Sequence, residues 1–135
     1  MTAFTYLPWI GIAVATIAAF LLGGAWYSPP LFGNRWMTAL GKTKAELGAP
    51  GPAMAVTFGT ALLTSIGVAM IEQRMLLSTM GAVRLGLTLG VLIQGASMLS
   101  DQAFTKTSRE LLFIQVGYRI LMLVAISVIL QLVWR

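Results

Sequence analysis

The sequence predicts an all-α integral membrane protein, with four antiparallel transmembrane helices and a short interfacial helix between the first and the second. Two observations predict this fold class. The chain has 135 residues and contains four apolar runs, each about as long as the roughly 20 residues that cross a bilayer. Hydrophobic residues make up 58% of the chain and charged residues only 10%. Soluble domains are about 25% charged, so a chain this apolar needs lipid as its solvent.

The predicted spans cover residues 6–27, 52–72, 80–104 and 111–134. No Lys or Arg precedes Tyr6, so the first run lacks the basic segment of a signal peptide and is expected to be a retained span. The connections after the second and third spans are short, which favours antiparallel neighbours. Residues 1–135 are therefore expected to form a single transmembrane domain.

The polar stretch of residues 28–51 predicts an amphipathic helix lying in the membrane interface. Ser28 is a good N-cap, and the two prolines after it suit a first helical turn. Apolar positions then recur at i, i+4 and i+8, and a glycine follows as a stop signal: Phe32, Trp36, Leu40 and Gly41. Thr43 and Glu46 have the spacing of a capping box for a further turn. An ordinary ordered loop is the alternative.

Loop cations predict the orientation, because cytoplasmic loops carry an excess of Lys and Arg. The loops after the first and third spans hold Arg35, Lys42, Lys44, Lys106 and Arg109. The opposite side holds Arg74, Arg84 and Arg135. Both termini are therefore expected outside. Aromatic residues at the expected interfaces agree with the span ends: Tyr6, Trp9, Trp26, Tyr27, Trp36 and Trp134.

Small residues recur every four positions in three of the spans. They form three ladders: Gly11, Ala15, Ala19 and Gly23 in the first span; Ala61, Ser65 and Ala69 in the second; Ala82, Gly86 and Gly90 in the third. Small residues let helices approach closely in lipid. The ladders indicate either packing within the chain or an interface between copies of it.

Polar and charged residues inside the spans are the candidate functional groups, because such residues are costly in a membrane. One stripe on the fourth span contains Gln115, Arg119, Ser127 and Gln131, and one on the third contains Gly90, Gln94, Ser97 and Asp101. We expect two buried ion pairs, Asp101 with Arg119 and Glu72 with Arg84. Such pairs either neutralise buried charge and set the helix register, or line a polar path.

The composition argues against several classes of function. The chain has no Cys and no His, which removes thiol chemistry, the commonest metal ligand and the commonest general base. The carboxylates are not clustered as in a metal site. We therefore predict no catalytic residues, no metal and no cofactor, and a protein that is not an enzyme. The net charge of +5 is scattered between apolar runs, which favours contact with lipid headgroups over nucleic acid.

The most distinctive segment is Trp26-Tyr27-Ser28-Pro29-Pro30-Leu31-Phe32-Gly33-Asn34-Arg35-Trp36. It resembles the W-Y-S-P-x-L-F-G-x-x-W stretch of a bacterial membrane family known as domain of unknown function 1761. The following M-x-x-L-G at 37–41 and the later Gly117-Tyr118 pair are also similar to that family, whereas Gln115-Val116 stands where the family often has Asn. The resemblance implies a small four-helix protein of a bacterial inner membrane and implies no activity.

Three functions are compatible with these features. The ladders and the aromatic loop favour a non-enzymatic protein that works by association, as a homo-oligomer or an accessory subunit of a membrane complex. The polar stripes favour a small transporter or channel, with a polar path between the third and fourth spans. The interfacial loop favours a protein that handles lipids.

Overall fold

The computed structural model describes residues 7–133, apart from the Lys44 side chain. The helices of this part of the chain are α1 (Trp9–Trp26), α2 (Gly33–Leu40), α3 (Lys44–Leu47), α4 (Gly51–Glu72), α5 (Thr79–Leu87), a π-helical segment (Thr88–Gly95), α6 (Ala96–Thr105) and α7 (Arg109–Val133). The first, second and fourth spans are α1, α4 and α7. The third span runs without a break from α5 through the π-helical segment to α6.

These four stretches are long and apolar enough to cross a membrane, which confirms the predicted all-helical protein with four membrane-spanning helices. They contain 18, 22, 27 and 25 residues. At 1.5 Å per residue, even the shortest is about 27 Å long, close to the thickness of a bilayer core. The first span begins at Trp9 rather than at residue 6, directly after Pro8. The predictions for Tyr6, Trp134 and Arg135 lie outside the described residues.

Hydroxyl side chains and prolines begin the later spans. The Ser78 Oγ atom accepts a hydrogen bond of 3.0 Å from the backbone N–H of Gly81 at the start of the third span. Ser108 does the same for the N–H of Leu111 at the start of the fourth, at 3.1 Å. The second span has a proline in its first turn, where the missing N–H costs no helical hydrogen bond. Each span therefore begins at a local sequence signal.

The fourth span is the centre of the bundle, since it packs against all three other spans. Its buried side chains, such as Ile126 and Leu130, meet small buried residues of the first two spans. Large apolar side chains elsewhere on the spans are exposed, as a lipid-facing surface requires. We call the end of the bundle near Trp26 and Arg109 the loop end, because α2 packs there, and the opposite end the Glu72 end.

The ladders of small residues are used for contacts within the chain. Gly11 packs against Val133, and Gly23 packs against the ring of Tyr118, so residue contacts run in opposite order along α1 and α7. In the third span, a Cβ atom on Gly86 would lie 2.5 Å from the Cα atom of Val124. The other ladder residues are buried as well: Ala15, Ala19, Ala61, Ser65, Ala69, Ala82 and Gly90. The backbones of the third and fourth spans touch at this level, which leaves no room there for a polar path between them.

Candidate functional site

Two segments that are far apart in the sequence meet at the loop end. The indole N–H of Trp26 donates a hydrogen bond of 2.9 Å to the carbonyl oxygen of Ile114. The same ring lies on Gly117, where a Cβ atom would be only 2.9 Å from a ring carbon. A larger residue at 117 would displace the ring, so the glycine is what permits this contact.

Tyr27 and Tyr118 extend this junction by one residue on each side. Their rings meet edge to face, with centroids 5.6 Å apart. The hydroxyl of Tyr118 donates a hydrogen bond of 2.9 Å to the carbonyl oxygen of Ala19 in the first span. The Trp26-Tyr27 and Gly117-Tyr118 pairs, noted separately in the sequence, therefore form one contact.

The loop after α1 folds back over this junction. The Ser28 hydroxyl donates to the carbonyl oxygen of Ala25 at 2.6 Å, so Ser28 closes the end of α1 instead of capping α2. Pro29 is exposed in the turn that follows. The backbone N–H of Gly33 donates to the Ser28 carbonyl oxygen at 2.9 Å, and any Cβ at this glycine would overlap the carbonyl of Tyr27. The turn thus needs glycine at 33, where α2 begins.

Aromatic rings fasten α2 to the end of the first span. The rings of Phe32 and Trp26 lie 4.5 Å apart, and those of Trp36 and Tyr27 lie 5.4 Å apart. The helix ends at Gly41, whose φ of 75° is the left-handed conformation that favours glycine. A helix is present in the predicted stretch and ends at the predicted stop, Gly41, but it begins at Gly33 rather than after Ser28. The location of this helix in a membrane interface stays a prediction.

A cavity of about 550 Å³ opens beside this junction. It is lined by residues of α1, α2, α4 and α7 together with Tyr27 and Pro50: Phe20, Gly23, Gly24, Tyr27, Trp36, Pro50, Ala53, Met54, Thr57, Gln115, Tyr118 and Arg119. Among these, Arg119 is the one charged side chain. Its guanidinium carbon lies 5.5 Å from the centroid of the Tyr118 ring, in reach of a cation–π interaction. We call this space the Arg119 cavity.

Tyr27, which lines the Arg119 cavity, has a neutral side chain. Burial raises the pKa of this tyrosine from 10.0 to about 12, although the nearby positive charge of Arg119 acts in the opposite direction. At physiological pH the hydroxyl is therefore protonated and can donate a hydrogen bond.

A second polar site lies at the Glu72 end. Glu72 is only 3% exposed, and the hydroxyl of Ser127 donates a hydrogen bond of 2.5 Å to its Oε1 atom. One turn further along the fourth span, Gln131 accepts from the Thr79 hydroxyl at 3.2 Å and donates to the Leu77 carbonyl oxygen at 3.3 Å. Glu72, Leu77 and Gln131 line a cavity of about 470 Å³. This is the Glu72 cavity.

The structure brings together neither of the two expected ion pairs within residues 7–133. The face of α7 toward the third span contains Ile120 and Val124, which contact Gly90 and Gly86. Arg119 precedes Ile120 and is turned about 100° away from it around the helix, toward the Arg119 cavity. At the other end, Arg84 is exposed, whereas the buried Glu72 turns inward to Ser127.

The polar stripe of the third span does not form a common site either. Gln94 is half-buried, and Ser97 and Asp101 are exposed. Asp101 lines a separate cavity of about 210 Å³, which Gln115 also borders. The expected stripe assumed a regular α-helix, but the π-helical segment Thr88–Gly95 lies inside it and rotates the residues that follow.

Sequence reasoning named most of these residues but not their partners. The i+4 stripe already placed Ser127 and Gln131 on one face of the fourth span. No sequence signal connects them to Glu72, which is 55 positions away from Ser127 in the chain. Likewise, the bond between Trp26 and Ile114 joins residues 88 positions apart. The two sequence motifs that contain Trp26 and Gly117 were recognised, but nothing in the sequence shows that these two residues are in contact.

Helices, cavities and exposed apolar surface together define a multi-pass helical membrane protein. No group of three or more His, Cys, Asp or Glu side chains that could hold a metal ion occurs in the part of the chain that the structure describes. The family described as protein of unknown function (DUF1761) matches residues 10–131, and the chain belongs to this family. No curated protein and no solved structure matches the chain.

Proposed function

We propose that the protein is a non-enzymatic protein of a bacterial inner membrane that binds the anionic headgroup of a phospholipid in the Arg119 cavity. One observation carries this proposal. A guanidinium group stands in a cavity of about 550 Å³ whose lining contains no carboxylate among the described residues. A cation in such surroundings is costly unless an anion accompanies it.

The groups around Arg119 suit a phosphate. A guanidinium binds phosphate oxygens through two parallel hydrogen bonds. Tyr27, Gln115 and Trp36 line the same cavity, and each carries a side-chain donor: a protonated hydroxyl, an amide and an indole N–H. The hydroxyl of Tyr118 already donates to Ala19, so this residue contributes its ring instead.

The walls of the cavity suit the rest of a lipid. Phe20, Ala53 and Met54 form an apolar side between the first and second spans, and Met54 is 50% exposed. Trp36 and Tyr27 mark the headgroup level, where such rings concentrate in membrane proteins. In the proposed orientation, with both termini outside, this end faces the cytoplasmic leaflet, whose lipids are anionic.

The other two functions have less support from the geometry. The ladders that favour association pack inside the chain, so a homo-oligomer or a membrane complex stays a prediction without a surface assigned to it. A polar path between the third and fourth spans would be blocked at Gly86 and Gly90, where the backbones of the two spans are in contact.

Lipid titration by native mass spectrometry tests the proposal. The full chain in mild detergent receives phosphatidylglycerol or phosphatidylcholine, and Arg119→Gln is compared with wild type. We expect wild type to prefer phosphatidylglycerol. We also expect Arg119→Gln to bind that lipid roughly tenfold more weakly or worse, because a hydrogen bond to a charged group contributes about 1.5–3 kcal/mol.

Lys42→Gln is the matched control, because Lys42 is an exposed cation in the loop after α2 and does not line the cavity. It should leave phosphatidylglycerol binding unchanged. Inorganic phosphate added as a competitor separates a free anion from a lipid headgroup, and only the lipid should bind at low concentration. Equal affinity for both lipids, or equal losses in the two variants, would contradict the proposal.

A further inference from the structure

The Glu72 cavity contains a carboxylate that the lipid-binding proposal does not use. Ser127 bonds one of its two oxygens, Oε1. The other oxygen, Oε2, has no hydrogen-bond partner among residues 7–133. Every fully inaccessible polar side-chain atom in this part of the chain does have a partner. Oε2 is therefore accessible, and the space it meets is the cavity that Glu72 lines.

The other polar groups at this cavity are neutral oxygen atoms that can act as cation ligands. Gln131 contributes an amide oxygen and Leu77 a backbone carbonyl in the non-helical segment between the second and third spans, and both residues line the cavity. Ser127 is fully buried and does not line the cavity; its hydroxyl holds the Oε1 atom of Glu72. The Gln131 amide N–H donates a hydrogen bond to the Leu77 carbonyl oxygen, which holds both residues at the cavity. Carboxylate and carbonyl oxygens are ligands that hard cations prefer.

The backbone adds to the negative potential at this site. Glu72 is the last residue of α4, and the backbone N–H groups of the turn that follows donate to the carbonyl oxygens of Ala69, Ile71 and Glu72. The helix dipole places partial negative charge at this terminus. Unwound carbonyls and helix C-terminal ends also coordinate Na⁺ or H⁺ in membrane transporters.

We propose that the Glu72 carboxylate, the Gln131 amide oxygen and the Leu77 carbonyl form a binding site for a small monovalent cation, Na⁺, with Ser127 positioning the carboxylate. The single negative charge of the site favours a monovalent ion. One carboxylate and one Na⁺ sum to zero inside the membrane, whereas a divalent ion would leave an uncompensated positive charge in a site that is costly for charge. The cavity of about 470 Å³ admits the ion and the waters that complete its coordination.

Protection from a hydrophobic carbodiimide tests the site, because this reagent modifies carboxyl groups in apolar surroundings. The full chain in detergent micelles is labelled in N-methylglucamine chloride, NaCl or KCl at equal ionic strength, and peptide mass spectrometry locates the label. We expect Glu72 to be labelled in N-methylglucamine. A Na⁺ concentration about ten times the dissociation constant should slow this labelling about tenfold, because only the free site reacts. K⁺ should protect less.

Variants keep the test independent of folding. Gln131→Leu removes one proposed ligand and keeps the reactive carboxyl, so Glu72 should still be labelled but need more Na⁺ for protection. Asp101→Asn removes an exposed carboxylate at the loop end and should change nothing. Melting curves give a second readout: Na⁺ should raise the Tm of wild type and of Asp101→Asn, and should not raise that of Glu72→Gln.

Three results would overturn the site. They are labelling of Glu72 at the same rate in Na⁺ and N-methylglucamine, no labelling under any condition, and a Na⁺-dependent Tm that survives in Glu72→Gln. None of these depends on Arg119, so the lipid proposal is tested separately.

Discussion

The two ends of the fourth span solve the problem of a polar group in a membrane in different ways. At the loop end, Arg119 lies among aromatic rings that supply polarisable faces and a few donors. At the Glu72 end, a carboxylate lies among a hydroxyl, an amide and a carbonyl. The loop end offers donors to an anion, and the Glu72 end offers oxygens to a cation. The fourth span thus borders both proposed sites, which have opposite preferences, although the Glu72 carboxylate itself belongs to the second span.

The ends also differ in how they are held. The loop end depends on shape, because glycines at 33 and 117 admit groups that a side chain would exclude. The Glu72 end depends on hydrogen bonds between residues of different helices. Steric substitutions should therefore break the first end, and substitutions that remove polar groups should break the second.

The largest expected effect is that of Gly117→Val. The new side chain would push the Trp26 ring away and break its bond to Ile114, so the free energy of unfolding should fall by about 3 kcal/mol. Unfolding by sodium dodecyl sulfate in mixed micelles, followed by circular dichroism, measures this. Gly67→Ala is the control, since a Cβ there meets open space. Similar losses in both variants would mean that the junction does not depend on shape.

Ser127→Ala should have the next largest effect. It removes the hydrogen bond to a buried carboxyl group, which contributes about 2 kcal/mol. Ser65→Ala is a close control, because Ser65 is equally buried but bonds only to Ala61 in its own helix. The same unfolding assay should show a clear loss for Ser127→Ala and little change for Ser65→Ala. If the two variants match, the contact between Ser127 and Glu72 does not stabilise this end.

The smallest effect concerns Tyr27 and appears only at high pH. The pKa of this residue is raised from 10.0 to about 12, so the folded protein retains a proton that the unfolded chain releases. This contribution to stability is complete below about pH 10 and is lost as the pH rises through about 12. Tyrosinate absorbance of wild type minus that of Tyr27→Phe should show a single step near pH 12. A step near pH 10 would show that Tyr27 is solvated in the folded protein.

Much of the fold follows from local sequence, and the sites follow from it only in part. The capping pair of Thr43 and Glu46 is an example of a correct local prediction, since the Glu46 N–H donates to the Thr43 hydroxyl at 3.3 Å. Asp101 with Arg119 is an example of the opposite. We expected these two residues to be close on the assumption that the third span is a regular α-helix and that α7 has a particular rotation. The spacing of residues in the sequence determines neither.

The length of the four apolar runs determined that this chain forms four helices able to span a membrane, because in lipid a continuous run of this length can satisfy its backbone hydrogen bonds within itself only as a helix. Cap residues such as Gly41, Ser78 and Ser108 determined where several of the helices begin or end. Only the tertiary structure decided that Glu72 faces Ser127 and that Arg119 faces the aromatic loop. The rotation of each helix depends on which small residues meet which large ones, as at Gly117 and Trp26, and that depends on the packing of all four spans together.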